Sequence, residues 1–113
     1  MAIGLRAARQ ERAARNQSLF RGVNERLEEA MRALPTAQDF LCECANRDCN
    51  KMLSITVAEY ETVRGEPTHF AIAPGHELLE VERVVLHGEG RYTVVEKIER
   101  AAEISVLLDP RRA

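Results

Sequence analysis

The sequence predicts an α+β fold in which a long N-terminal amphipathic helix packs on a small, mostly antiparallel sheet, stapled by a metal site. Three observations predict it. Apolar residues recur at helical spacing in the first third of the chain, short β-rich runs with turn residues between them follow Phe40, and three cysteines fall within eight residues. A chain of 113 residues supports one compact core, and so small a core gains from a staple. We divide the chain into a basic arm at 1–15, a single metal-binding domain at 16–109 and a tail at 110–113.

The helix is predicted from about Asn16 to Leu34, and Arg6, Arg9, Arg12 and Arg15 upstream can extend it as a basic arm. Its apolar residues recur every three or four positions, namely Leu19, Phe20, Val23, Leu27, Ala30, Met31 and Leu34. Pro35 ends the helix because proline cannot continue it, and residues 36–39 form a short connection. We expect this stripe to face the sheet. Exposure of its Leu27 side in a monomer would instead indicate either that the helix is a homodimer interface or that this core assignment is wrong.

The next segment contains strand patterns and one helix start. Residues 40–44 alternate with a period of two, Asn46-Arg47-Asp48 turns the chain, and residues 52–55 form a second short strand. Thr56-Val57-Ala58-Glu59 matches the capping box that begins many helices, so a short helix is expected through about Val63.

The last third of the sequence predicts a hairpin. An apolar run at 70–73 ends at the turn Pro74-Gly75, and β-rich runs at 80–87 and 91–98 flank Gly88-Glu89-Gly90. The valines expected in the core are Val81, Val84 or Val85, Val94 and Val95. Residues 99–108 are expected to add one or two helical turns.

The charge is unevenly distributed along the chain. Residues 1–32 contain seven arginines and four glutamates, whereas residues 33–113 contain nine basic and fourteen acidic side chains. Such a basic head can be attracted to an acidic partner or can lie on its own acidic body.

The cellular compartment is expected to be the cytoplasm. No run approaches the roughly 18 apolar residues of a membrane helix, and the N-terminus lacks the apolar stretch of a secretion signal. A disulfide between Cys42 and Cys44 would be strained, since residues two apart on a strand do not meet disulfide geometry. Reduced thiols available to a metal fit that compartment.

The cysteines predict a metal site. Cys42 and Cys44 lie on the same side of an extended segment, and Cys49 returns after a four-residue loop. Zinc binds thiolate sulfur and imidazole nitrogen tetrahedrally, so a fourth ligand is needed. His76 is the best candidate because it follows a Pro-Gly turn, whereas His69 should point away and His87 lies at the hairpin tip.

Three alternatives to a structural zinc site stay open. Free cysteines can simply pack a core, the same four ligands can hold a two-iron, two-sulfur cluster, and a zinc-dependent enzyme would use the metal for catalysis. A Cys3His set fills all four positions of zinc, which favours a structural role without catalytic residues. Glu43 and Glu77 flank the ligands and are candidates for orienting them or acting as acids.

Several sequence blocks carry a resemblance. They are RNQSLFRGVNER, FLCECANRDC, EYETVR, PTHF, APGHE, VERVV and YTVVEK. From about Asn16 to Asp109 their order resembles that of a group of small uncharacterised bacterial proteins. The resemblance implies a cytoplasmic bacterial domain whose distinctive residues are Cys42, Cys44, Cys49 and His76. It implies no activity.

These patterns lead to one functional hypothesis, a metal-stapled binding or regulatory module that presents its helix and its arm to a protein partner, for example in transcription. Nucleic acid is the alternative partner, through Arg6, Arg9, Arg12 and Arg15. Few aromatics are available to stack on bases and the body is acidic, so a protein partner ranks higher.

Overall fold

The computed structural model describes residues 2–32 and 39–111 of the chain. The predicted α+β class is confirmed. Within the described ranges the elements are α1 (Ala2–Met31), β1 (Asp39–Leu41), β2 (Met52–Ser54), α2 (Val57–Val63), β3 (His69–Ile72), β4 (Glu82–His87), β5 (Thr93–Lys97) and α3 (Glu99–Leu107).

The strands form two separate antiparallel sheets. One is the hairpin of β1 and β2, in which Phe40 lies opposite Leu53. The other has the order β3-β5-β4, so one edge of β3 pairs with β5 and its other edge is free for a different segment. An irregularity in the pairing of β4 with β5 leaves Val84 packed against the core while Val85 is exposed.

Two apolar clusters hold these elements together. The larger one fills the space between both sheets and α2, and its largest fully buried members include Phe40, Tyr60 and Phe70. The rings of Phe40 and Tyr60 stack with centroids 4.5 Å apart. The smaller cluster lies where α1 meets α3 and consists of Ala13, Ala14, Val81, Ala101 and Ile104.

Helix α1 begins much earlier than predicted, at Ala2 instead of about Asn16. Residues 2–15 of the proposed basic arm are therefore part of the same helix. Ala14 is fully buried, and Gln10 donates its amide hydrogens to the Glu80 carbonyl and to the Glu99 carboxylate. The predicted helix end at Leu34 and the stop at Pro35 lie outside the described residues.

The predicted apolar stripe of α1 is wrong at Leu19, Val23 and Ala30, which are exposed. Leu27 and Met31 pack against the larger cluster, but Leu19 is 66% exposed and Val23 is 39% exposed. Apart from Ala13 and Ala14, the buried positions of the helix are polar, namely Gln10, Gln17, Arg21, Asn24 and Glu28. Gln10, Gln17 and Arg21 donate to main-chain carbonyls of irregular segments. Asn24 donates to the carbonyl of Leu41 at the end of β1.

Several other local predictions agree with the structure. Thr56 and Glu59 form both hydrogen bonds of the capping box at the start of α2. A helix follows the hairpin, as expected for residues 99–108, and the hairpin strands end within three residues of their predicted limits. Across the described parts of the chain, no helix combines the length and the apolar character needed to cross a membrane.

Gly88 at the end of the hairpin permits a close approach to an aromatic ring. A Cβ atom at this position would lie 2.6 Å from the ring of Tyr92, which is itself buried. We expect Gly88→Ala to lower the free energy of unfolding by about 1–3 kcal/mol because the ring must shift. Gly22→Ala is the control, since its Cβ meets open space and alanine favours a helix. Denaturant unfolding measures both variants. A Gly88→Ala protein as stable as the parent would contradict the close approach.

The Glu59 carboxylate is expected to make the free energy of unfolding fall in acid. Hydrogen bonds from Arg91 lower the pKa of Glu59 from 4.5 to about 2. Because the folded pKa lies below the unfolded one, the contribution of this carboxylate is present above pH 4.5 and is lost as the pH falls to about 2. Glu59→Gln should cost about 1 kcal/mol at neutral pH and flatten the acid dependence in this window. Glu66→Gln is the control, and equal acid dependence in both variants would contradict the prediction.

Candidate metal centre

The structure brings together the four side chains that the sequence singles out, Cys42, Cys44, Cys49 and His76. Their ligand atoms all lie within 4.8 Å of one another. The Nδ1 atom of His76 is 3.6 Å from the sulfur of Cys42 and 3.7 Å from the sulfur of Cys49. These four side chains are positioned to hold a metal ion.

The two sulfur-to-nitrogen distances match the edge of a tetrahedron around one metal ion. With metal-ligand bonds of about 2.3 Å to sulfur and about 2.0–2.1 Å to nitrogen, a tetrahedral angle separates the sulfur and nitrogen atoms by about 3.6 Å. These two distances are therefore compatible with a zinc ion between the side chains. The donor set of three thiols and one imidazole also fits zinc chemistry.

The segment that carries the first two cysteines does not continue β1 as predicted, because the strand ends at Leu41. Between Cys42 and Glu43 the main chain changes its hydrogen-bond partner from one sheet to the other. The amide of Cys42 still donates to Lys51 next to β2, whereas the amide of Glu43 donates to Ala71 on the free edge of β3. The alternation of side chains is kept, with both cysteines in the cluster and the Glu43 side chain bonded elsewhere. This segment thus links the two sheets at the metal centre.

A tight turn presents His76, as the sequence predicts. The amide of His76 donates to the carbonyl of Ala73 across Pro74-Gly75, and Gly75 has φ of +86°. Such a turn needs glycine at its third position, since other residues are strained at positive φ. The amide of Ala73 also donates to the Cys42 sulfur at 3.1 Å, which ties the turn directly to a ligand.

The cluster has a buried side and a surface side. Cys42 and Cys44 are 1% and 2% exposed, whereas Cys49 and His76 reach the surface. A surface depression of about 300 Å³ lies beside the imidazole and is lined by Ala45, Asn46, Gly75, His76, Glu77 and Leu78. A metal ion would therefore enter or leave the site from the side of Cys49 and His76.

The cysteines also influence one another. A hydrogen bond from the Cys42 thiol, followed by one from His76, lowers the pKa of Cys44 to about 5. The same bond to Cys44, together with burial, raises the pKa of Cys42. Thiolates are the form of cysteine that binds metals, so the direction of this shift favours the metal-binding form of Cys44.

The other two histidines lie outside the cluster. The Nε2 atom of His69 is 3.3 Å from the Glu96 carboxylate, and His87 is exposed at the end of β4. His69 therefore points away from the cysteines, as predicted. Of the two flanking carboxylates, Glu43 is fully buried, whereas Glu77 is partly exposed beside His76.

The arginines of the N-terminal segment lie partly on the chain's own acidic groups. Arg6 pairs with Glu99 and Arg9 pairs with Glu80, while Arg15 pairs with Glu11 along the helix. Glu11 also receives the guanidinium of Arg100 from α3. These pairs are exposed, so each contributes little to stability, but together they orient the basic head along the body.

Sequence reasoning missed the buried polar groups that surround the centre. Gln17, Asn24 and Tyr60 all contact Glu43, and the buried amine of Lys97 pairs with Glu82 and Gln17. One signal was available. The buried polar positions of α1 recur at intervals of seven, four, three and four, a helical spacing that an inspection of apolar residues alone does not detect.

Comparison of the chain with protein-family models, with curated proteins and with solved structures found no match. The function inferred for the chain therefore depends on its own residues.

Proposed function

We propose that this protein is a small zinc-binding module whose Cys3His site is structural and whose helical face binds a protein partner. One observation carries the zinc site, namely that three thiols and one imidazole lie within 4.8 Å of one another. Zinc accepts this donor set in tetrahedral geometry.

A structural role is supported by the number of ligands. Zinc in catalytic sites keeps one position open for water or substrate, whereas four protein ligands close the coordination sphere. Among the described residues, no further histidine, cysteine or carboxylate joins the cluster of four. Because Cys42 and Cys44 are buried, access of water to a zinc ion in the site would also be limited.

A single zinc ion is a better fit than a two-iron, two-sulfur cluster. A two-iron cluster divides its four ligands between two metal ions, so ligands of different irons lie farther apart than ligands of one ion. Here His76 is 3.6–3.7 Å from two of the cysteine sulfurs, and all four donor atoms are mutually close. This compactness supports one metal ion.

The binding role is supported by apolar side chains that remain exposed to solvent in the folded chain. Leu19 and Val23 are exposed on α1, beside a groove of about 420 Å³ that Gly22 and Pro110 also line. A partner with an apolar contact surface would bury them and gain roughly 25 cal/mol for each Å² of apolar area removed from water. Nucleic acid is less favoured because Arg6, Arg9 and Arg15 already have acidic neighbours.

The binding role is tested by charge placed on the exposed helix face. We expect the double variant Leu19→Lys/Val23→Lys to lose a protein partner that copurifies with the parent chain, while Arg12→Ala retains it. Binding of a DNA duplex that weakens steeply with salt and depends on Arg12 would instead favour nucleic acid. An unchanged set of partners for the double variant would contradict a role for this face. The molar mass of the purified parent protein in solution shows whether its partner is a second copy of the same chain.

A further inference from the structure

Glu43 lies between two of the metal-binding cysteines, and its side chain is fully buried. Its carboxylate accepts three hydrogen bonds from three different elements. The donors are the Tyr60 hydroxyl on α2 at 2.6 Å, the Asn24 amide on α1 at 2.9 Å and the Ala71 main-chain amide on β3 at 3.0 Å. Both carboxylate oxygens are therefore fixed.

The main chain of Glu43 is held as firmly as its side chain. Its amide donates to the Ala71 carbonyl at 2.8 Å, and its carbonyl accepts from the Gln17 side chain at 3.0 Å. Asn24 also bonds both the carbonyl and the amide of Leu41, two residues earlier. The peptide groups on both sides of Glu43 thus have few degrees of freedom left.

These bonds set the position of the ligands. Ala71 binds Glu43 through its carbonyl and its amide, and two residues along the same edge the Ala73 amide binds the sulfur of Cys42. Ala73 is also the first residue of the turn that presents His76. The register of Glu43 on β3 consequently fixes the cysteine segment relative to the histidine.

A buried carboxylate is costly to stability unless it is well bonded, and an apolar side chain would fill the same space at lower cost. The position of this carboxylate between two ligands gives it a different use. Partners that orient metal ligands typically change metal affinity 10–100-fold when they are removed. Glu43 connects the ligand segment to α1, α2 and β3 at once.

We propose that Glu43 is a positioning residue for the metal centre, holding Cys42 and Cys44 in ligating geometry. This inference rests on the proposed zinc site. Glu43 is not among the four clustered donors and acts through the two cysteines on either side of it. Tyr60 and Asn24 contribute through the same carboxylate.

Competition between the full-length protein and a chelator for Zn²⁺ tests the proposal, at a temperature where circular dichroism shows every variant to be folded. We expect Glu43→Gln to bind Zn²⁺ 10–100-fold more weakly than the parent. Glu66→Gln is the control, because it makes the same substitution at an exposed carboxylate outside the cluster, and its affinity should be unchanged. The absorption spectrum of bound Co²⁺ should show distorted tetrahedral geometry only for Glu43→Gln.

Equal zinc affinity for Glu43→Gln and the parent would overturn the positioning role while leaving the zinc site intact. If Glu43→Gln does not fold, Tyr60→Phe carries the test, since it keeps the carboxylate and removes one bond to it. Weaker zinc binding by Tyr60→Phe supports the proposal, and unchanged affinity overturns it. Failure of the parent to bind Zn²⁺ at all would overturn the zinc site, and the positioning role with it.

Discussion

Cys44→Ser is expected to lose the metal and much of the thermal stability. Serine oxygen is a poor substitute for a thiolate, so the cluster keeps only three good donors. A ligand that binds only the folded chain stabilises it by about 4 kcal/mol when its free concentration is 1,000 times its Kd. For a domain of this size the loss corresponds to roughly 15 °C in melting temperature. Calorimetry with and without a chelator measures it.

The controls for this prediction come from the same chain. Cys42→Ser, Cys49→Ser and His76→Ala should behave like Cys44→Ser, whereas His69→Ala and His87→Ala should keep the metal because both histidines lie outside the cluster. A chelator should lower the melting temperature of the parent and leave that of Cys44→Ser unchanged. A Cys44→Ser protein that retains both metal and melting temperature would contradict the assignment of this ligand.

Glu82→Met is expected to destabilise the protein by about 3–5 kcal/mol, since removal of one partner leaves a buried charge without compensation. The amine of Lys97 forms an ion pair with Glu82 in which both side chains are fully buried. Glu82 also accepts from Gln17 and from the amide of Leu78. The double variant Glu82→Met/Lys97→Met should cost less than the sum of the two single variants. Additive losses in denaturant unfolding would contradict a coupled pair.

The buried Lys97 is also expected to make the free energy of unfolding depend on pH in the alkaline range. Burial lowers the pKa of Lys97 from 10.5 to about 8. Between pH 8 and 10.5 the unfolded chain binds more protons at this site than the folded chain, so the contribution of Lys97 to the free energy of unfolding rises with pH. The cost of burying its charge is present in full below pH 8. The difference between the parent and Lys97→Met should follow this sign, and a difference that is constant with pH would contradict it.

The parts of the fold that the sequence predicts are those with local causes. The capping box at Thr56, the turn at Pro74-Gly75 and the hairpin around Gly88 each depend on residues within a few positions of one another. The cluster of Cys42, Cys44, Cys49 and His76 was also accessible, because its donor types are few and distinctive.

The buried face of α1 could not be predicted in the same way. A polar side chain such as Gln17 or Asn24 is buried only because a particular carbonyl, amide or carboxylate lies opposite it, and that partner is set by tertiary structure. Leu19 and Val23 were assigned to the core for the converse reason, since helical spacing identifies a face but not what covers it. The early start of α1 likewise depends on contacts with α3.

Metal analysis of protein purified without added metal tests the central claim most directly. We expect about one zinc per chain, with three sulfur atoms and one nitrogen around it in X-ray absorption, and a colourless protein. A light-atom ligand in place of one protein donor would favour a zinc enzyme, and a brown protein containing iron would favour a redox cluster. A fully stable, metal-free protein in which all three thiols titrate would contradict the metal site and the function proposed from it.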